Sequence, residues 1–105
     1  MIQIPISPVS NQTLKCVLNN QNVQINIYQK NQGVFVDFYV SNKIISAGII
    51  AKNINPLIQA KYTMFNGNII FFDNFGNQDP DYKEFGKRYI LVYLTDSEYN
   101  DFFSK

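Results

Sequence analysis

Apolar and polar side chains alternate at every second residue along much of the chain, with turn signals between the alternating runs and almost no helical spacing. Thr13 to Leu18 therefore reads as a strand with Leu14, Cys16 and Leu18 on one face and Thr13 and Lys15 on the other. Asn19 and Asn20 supply turn chemistry after it. Val23 to Gln29 sets Val23, Ile25 and Ile27 inward against Asn22, Gln24, Asn26 and Tyr28, and the turn Lys30 to Gly33 closes a hairpin. The next strand, Val34 to Val40, buries Val34, Val36, Phe38 and Val40 but still holds Phe35 and Tyr39 beside Asp37 on its second face. Ser41-Asn42 leads tightly into Lys43 to Ile50, where Gly48 signals a bulge or a close backbone approach.

In the second half, Ala51 to Ala60 reads as a loop, with a single helical turn after Pro56 as the alternative. Asn66-Gly67 predicts a type I′ turn joining strands Lys61 to Phe65 and Asn68 to Asp73, because both positions tolerate positive φ. A loop from Asn74 to Gly86 and a last strand from Lys87 to Leu94 follow. Thr95-Asp96-Ser97-Glu98 fits a capping box, so YNDFFSK is expected to start a short helix presenting Phe102 or Phe103. Pro5 and Pro8 exclude Met1 to Pro8 from central ladder positions and suit an extended arm lying on an edge or another surface. The expected architecture is one all-β domain over residues 1–105: a small antiparallel barrel or sandwich of about seven strands, an N-terminal arm (1–10) and a C-terminal extension (95–105).

The stretch NIIFFDNFGNQDPDYKEFGKRYILVYL, Asn68 to Leu94, is apolar on both faces of its two strands, and the segment from Asp73 to Gly86 between them holds half of the acidic residues. Aromatic residues make up 15% of the chain, nine Phe and seven Tyr, more than one small core needs. The expectation is that the surplus apolar surface points toward other proteins.

Composition narrows the chemistry. A formal charge of +1 with 16% charged residues argues against general nucleic-acid binding, which needs a basic excess. The charges divide unevenly: five Lys and Asp37 up to Lys61 give +4, and seven acids against four bases from Tyr62 onward give −3. A solvated acidic end accounts for this, with a head-to-tail subunit contact as the alternative. Cys16 is the single cysteine and histidine is absent, so no internal disulfide, zinc set or base-activated thiolate is expected. The N-terminus lacks signal-peptide character, and no run reaches the about 18 apolar residues of a membrane span. A protein kept in the cytoplasm, or packed into a particle assembled there, is expected.

Three chemical readings remain to be weighed. Asp73, Asp79, Asp81 and Glu84 invite calcium, but their spacing fails the calcium-loop pattern and a central Pro80 suits a turn. Paired-carboxylate hydrolysis has no pair selected by the sequence, so an enzyme is not expected and no cofactor or metal is assigned. Phe35, Tyr39 and Tyr28 could stack on a glycan or single-stranded nucleic acid, as on an oligonucleotide-binding barrel, although core or subunit interface suits such rings better.

Short signatures in order resemble a known family. They are Ile4-Pro5-Ile6, Asn11-Gln12-Thr13, Leu18, Asp37 in an aromatic setting and Gly48. Asn55-Pro56-Leu57, Gly67 ahead of Ile69, Asp79-Pro80, Phe85-Gly86 and Arg88-Tyr89-x-Leu91-x-Tyr93 continue them. Together, from Ile4 to about Leu94, they resemble the small baseplate plug proteins of contractile cyanophage-type tails. The chain departs from that family where Val34 or Phe35 replaces a tryptophan and where YNDFFSK runs past the usual end. The resemblance implies a non-enzymatic structural plug in the virion tail baseplate, in an oligomeric assembly with hub, spike and tube proteins. Candidate contacts are Ile4, Pro5, Ile6 and Val9 of the arm, Phe35 and Tyr39 of the third strand, and Phe75, Asp79, Pro80, Tyr82 and Phe85 of the loop. A small barrel binding glycan or single-stranded nucleic acid is the alternative function.

Overall fold

The computed structural model describes residues 1–58 and 65–103. Among these residues, seven strands form two open antiparallel sheets. They are β1 (Ile2–Ile4), β2 (Asn11–Leu18), β3 (Gln21–Lys30), β4 (Gly33–Val40), β5 (Lys43–Ile50), β6 (Asn68–Asp73) and β7 (Tyr89–Leu94). One sheet runs β1-β7-β6 and the other β2-β3-β4-β5, so the architecture is sandwich-like. A 3-10 turn at Tyr82–Glu84 and a helix α1 (Asp96–Phe103) complete the described elements.

Local chemistry sets the hairpins of the larger sheet. Asn19 and Asn20 take φ +52 and +60, and Ser41 and Asn42 take +51 and +67, so each two-residue connection is a type I′ turn whose twist matches its strands. Gly48 sits at φ +63 where the β4–β5 register shifts, and its amide donates to Asp37 Oδ1 at 2.7 Å. The expected bulge is present.

Between the sheets, Val23, Ile25 and Ile27 of β3 and Val34, Val36, Phe38 and Val40 of β4 share one core with Ile69, Phe71, Tyr89, Leu91 and Tyr93 of β6 and β7. Phe65 joins the layers edge-on, its ring 5.1 Å from Phe38 and 5.8 Å from Tyr93. Such ring pairs add a directional term to simple burial.

Three expectations change. First, the Met1 to Pro8 segment takes the edge position its prolines allow, but as an integral strand of this chain's own sheet: Ile2 pairs with Tyr93 and Ile4 with Leu91, and Ile4 is buried in the core. The central strand β7 needs a backbone partner on each side, and Ile2–Ile4 supplies one before Pro5 ends the pairing. Second, of the strand expected at Lys61 to Phe65, residues 61–64 lie outside the described residues and Phe65 forms a bend. Asn66 is not among the residues with positive φ, so no type I′ turn forms there. Instead the Asn66 side chain accepts from the Asp96 amide at 2.7 Å and the Gly67 amide donates to the Asp96 carboxylate at 2.8 Å, which ties the bend to the start of α1.

Third, the surplus apolar surface of β6 and β7 is covered from within the chain. Ile70, Val92 and Leu94 form a buried cluster separate from the main core, with Ile54, Ile90, Tyr99 and Phe102 packed against it. The capping box holds this cover in place: Thr95 N donates to Glu98 Oε1 at 3.0 Å and Glu98 N donates to Thr95 Oγ1 at 3.2 Å. Ile54 reaches its position at φ +66, unusual for a β-branched residue, with its amide held by the Phe71 carbonyl at 2.8 Å.

Candidate interaction surface

The loop after β6 is built on one buried carboxylate. Asp73 Oδ1 accepts from Arg88 Nε at 2.8 Å and from the Phe75 amide at 2.9 Å, while Oδ2 accepts from Arg88 Nη2 at 2.9 Å and the Gln78 amide at 2.8 Å. The Arg88 hydrogen bonds lead in holding the Asp73 carboxyl far below the usual carboxylate range; burial opposes them, and the two amides and the guanidinium charge assist. A second pin comes from Asp79, which accepts from Lys52 Nζ at 3.3 Å and the Asn53 amide at 3.1 Å. Asp81 caps the 3-10 turn through the Lys83 amide at 3.0 Å.

The acids of the loop thus serve different partners. They do not converge on one point, and no three potential metal-ligating groups cluster among the described residues. Pro80 is buried, and Phe85 lies in the core with its ring stacked 5.4 Å from Phe71. Tyr82 is half-buried against the same core, and Gly86 at φ +84 lets the chain pass the Ile6 carbonyl, 3.1 Å from where a Cβ would stand. Phe75, by contrast, projects from the tip and is 75% exposed.

A second apolar region lies on the outer face of the β2-β3-β4-β5 sheet. The Tyr28 and Phe35 rings stack 6.0 Å apart, with Lys30 Nζ 5.4 and 5.5 Å from their centroids. Tyr28 donates its hydroxyl to Asp37 at 3.0 Å, and Ile50 stands opposite Phe35. Tyr39 faces Gln24 on one side and Ile44, 52% exposed, on the other. Two shallow open grooves flank this face along β2 and β3, lined mainly by amides, hydroxyls and aliphatic groups. Burial raises the Cys16 thiol pKa, which leaves it a packing group.

Of the residues expected to meet partners, Ile4, Pro80 and Phe85 are interior, because each anchors a segment whose backbone must turn beside the core. Pro5 and Val9 are exposed, Ile6 is half-buried, and Phe35 and Tyr39 are half-buried on the outer face. The loop and the N-terminal segment meet at Gly86, whereas Phe35 and Tyr39 belong to the other sheet. Sequence reasoning passed over Val17, 65% exposed, and Ile44. The two-residue period alone puts Val17 beside Thr13 and Lys15, and the two-residue Ser41-Asn42 turn, which pairs Val40 with Lys43, sets Ile44 opposite Tyr39 before the β5 register shifts.

The model of the family described as cyanophage baseplate Pam3 plug gp18 matches residues 1–96. The chain belongs to this family. The plug is therefore a structural, non-enzymatic component of a phage tail baseplate, located in the virion tail and in contact with other tail proteins. No curated protein matches the plug significantly. The family match takes in all seven strands and stops at the first residue of α1, so the helix that covers Ile70, Val92 and Leu94 lies almost wholly beyond it.

Proposed function

We propose that the plug seats against hub, spike and tube proteins through the Phe75 tip of the Asn74 to Gly86 loop. The outer face around Phe35 and Tyr39 and the exposed Pro5 and Val9 serve as flanking contacts. One observation carries this reading: the most exposed large apolar side chain among the described residues sits on a loop whose base is fixed by the four hydrogen bonds of Asp73. An aromatic knob on a fixed support loses little freedom on docking, and such anchors dominate interface energies. The plug acts by shape and buried contact, with Asp79 and Tyr82 holding the loop from behind.

The test co-expresses the plug with the hub, spike and tube proteins of its tail and counts plug copies in purified assemblies. Phe75→Asp should leave unfolding stability within about 0.5 kcal/mol, as for an exposed site, while plug content falls roughly tenfold or more. Undiminished incorporation of Phe75→Asp would remove the knob from the interface.

A further inference from the structure

The edges of the two sheets are not equally protected. Along β6 the segment before it covers the edge: Ile54 N donates to the Phe71 carbonyl at 2.8 Å and Leu57 N to the Ile69 carbonyl at 3.0 Å. On β5 the Gly48 bulge breaks the register. β1 is three residues long and is followed by Pro5. β2 differs from all of them, because its eight pairs with β3 run from Asn11↔Tyr28 to Leu18↔Gln21 without a shift, and it contains neither proline nor glycine. Natural sheets avoid a long flat edge of this kind unless something pairs with it.

The direction of its backbone groups follows from the hairpin. Gln29 N donates to the Ser10 carbonyl at 2.8 Å, and Leu18 and Gln21 flank the two-residue turn, so the even-numbered residues from Ser10 to Leu18 exchange hydrogen bonds with β3. Asn11, Thr13, Lys15 and Val17 therefore direct their amides and carbonyls outward, and no backbone partner is found for them among the described residues. Leu14 and Cys16 stay half-exposed on the core side of this edge, at the open flank of the sandwich.

We propose that a second copy of this chain pairs antiparallel with β2 along its outer edge, β2 against β2, about a two-fold axis at Leu14. Of the registers that oppose outward-pointing groups, those centred on Leu14 and on Lys15 pair the longest stretch of β2, and the Leu14 register alone of these two keeps like charges apart. With Leu14 facing Leu14 of the second copy, Thr13 lies opposite its Lys15 and Asn11 opposite its Val17, both of them pairs of residues with outward-pointing backbone groups. The lone charge of the strand then never faces itself, whereas a shift that centres Lys15 would set the two ammonium groups opposite each other, an unfavourable pair. The same register sets Gln12 opposite Cys16 on the core side and covers the half-exposed Leu14 of both copies. Since β5, β6 and β1 are bulged, covered or short, a strand-to-strand contact between copies has β2 as its seat on each. This pairing is independent of the Phe75 reading.

Sedimentation of the full chain over a range of concentrations tests it. A reversible dimer is expected. Thr13→Lys places an ammonium opposite each Lys15 and should raise the dissociation constant roughly 5- to 30-fold, counting two like-charge pairs, whereas Thr13→Glu should lower it. In a Cys16→Ser background, Leu14→Cys should cross-link between copies on mild oxidation, and Gln12→Cys, displaced from the axis, should not. Circular dichroism confirms that each variant is folded. A monomer at all concentrations, or a dimer indifferent to both charges at position 13, overturns the proposal. Cross-linking at Gln12→Cys in preference to Leu14→Cys overturns the register.

Discussion

Arg88 grips Asp73 with a two-pronged hydrogen bond, Nε to Oδ1 at 2.8 Å and Nη2 to Oδ2 at 2.9 Å, across the mouth of the loop that carries Phe75. The same carboxylate takes the amides of Phe75 and Gln78, so one buried group fixes both the loop's entry and its closure. A planar guanidinium suits this site because its donors match the two oxygens, and a lysine would supply only a point charge.

Acid should loosen this device. Folding lowers the Asp73 pKa, so its stabilisation is complete above the unfolded carboxyl value of about 3.9 and fades as the pH falls below it toward the folded value. The thermal midpoint should therefore hold from pH 7 to 5 and drop below pH 4. Asp73→Asn should lower the midpoint at neutral pH and flatten the acid drop. Glu98, whose carboxyl pKa is lowered chiefly by the N-terminal amine and then by the Thr95 amide, leaves a residual acid sensitivity. An acid drop of full size in Asp73→Asn would show that another group controls it.

Gly67 should tolerate no side chain. Its φ is +109, and a Cβ there would overlap the Leu94 carbonyl oxygen and stand 2.8 Å from the Tyr93 ring. Gly67→Ala combines an incompatible backbone with a clash against a buried strand, so a loss well above about 1 kcal/mol is expected in urea unfolding. Gly48→Ala is the control, because a Cβ there meets nothing within 4 Å and only the φ of +63 opposes it. Equal losses at the two positions would mean that the Leu94 contact contributes nothing.

Removing Met1 to Pro8 should damage the fold and not merely an attachment. The deletion strips β1 from β7 and takes buried Ile4 out of the core. Ile4→Ala alone should cost about 2–5 kcal/mol, the range for truncating a buried aliphatic side chain. Pro5→Ala, at an exposed position, should change stability by no more than about 0.5 kcal/mol. A truncated chain with an unchanged unfolding midpoint would mean that the β1–β7 pairing and buried Ile4 contribute nothing to stability.

The strands of the larger sheet were legible to within two residues, because β2, β3 and β4 bury one face and their period-two alternation is visible without any partner, whereas the bulged β5 shows no such alternation. Lys43–Ile50 and Asn68–Asp73 match their expected bounds. What stayed hidden was where β6 and β7 place their second face. An unbroken run such as Ile69 to Phe72 says that both faces are apolar but not what covers the outer one, and Tyr99 and Phe102 lie far along the chain from Ile70. Asn66-Gly67 misled because side-chain contacts with Asp96 replaced the local turn its composition favours. At the candidate surface, Phe75 was readable as a loop aromatic, but the interior positions of Phe85 and Pro80 depend on how Asp73 and Asp79 bend the loop back over the core.

The helix beyond the family match offers the last test. α1 has no fully buried residue of its own, yet Tyr99 and Phe102 lie over Ile70, Val92 and Leu94, which are at most 4% exposed. Phe103 braces both rings, 4.6 Å from Tyr99 and 5.0 Å from Phe102. A chain ending at Thr95 loses that cover together with the Asp96 contacts to Asn66 and Gly67. It should keep its strand content in far-ultraviolet circular dichroism, since all seven strands precede the cut. Its bare apolar face should bind an anilinonaphthalene dye and drive self-association, as uncovered patches do. The full-length double variant Tyr99→Ser, Phe102→Ser should bind the dye as well, because it retains the capping box and removes only the apolar lid. Dye binding equal to that of the parent chain in both variants would mean that the outer face of β6 and β7 is sealed without the helix.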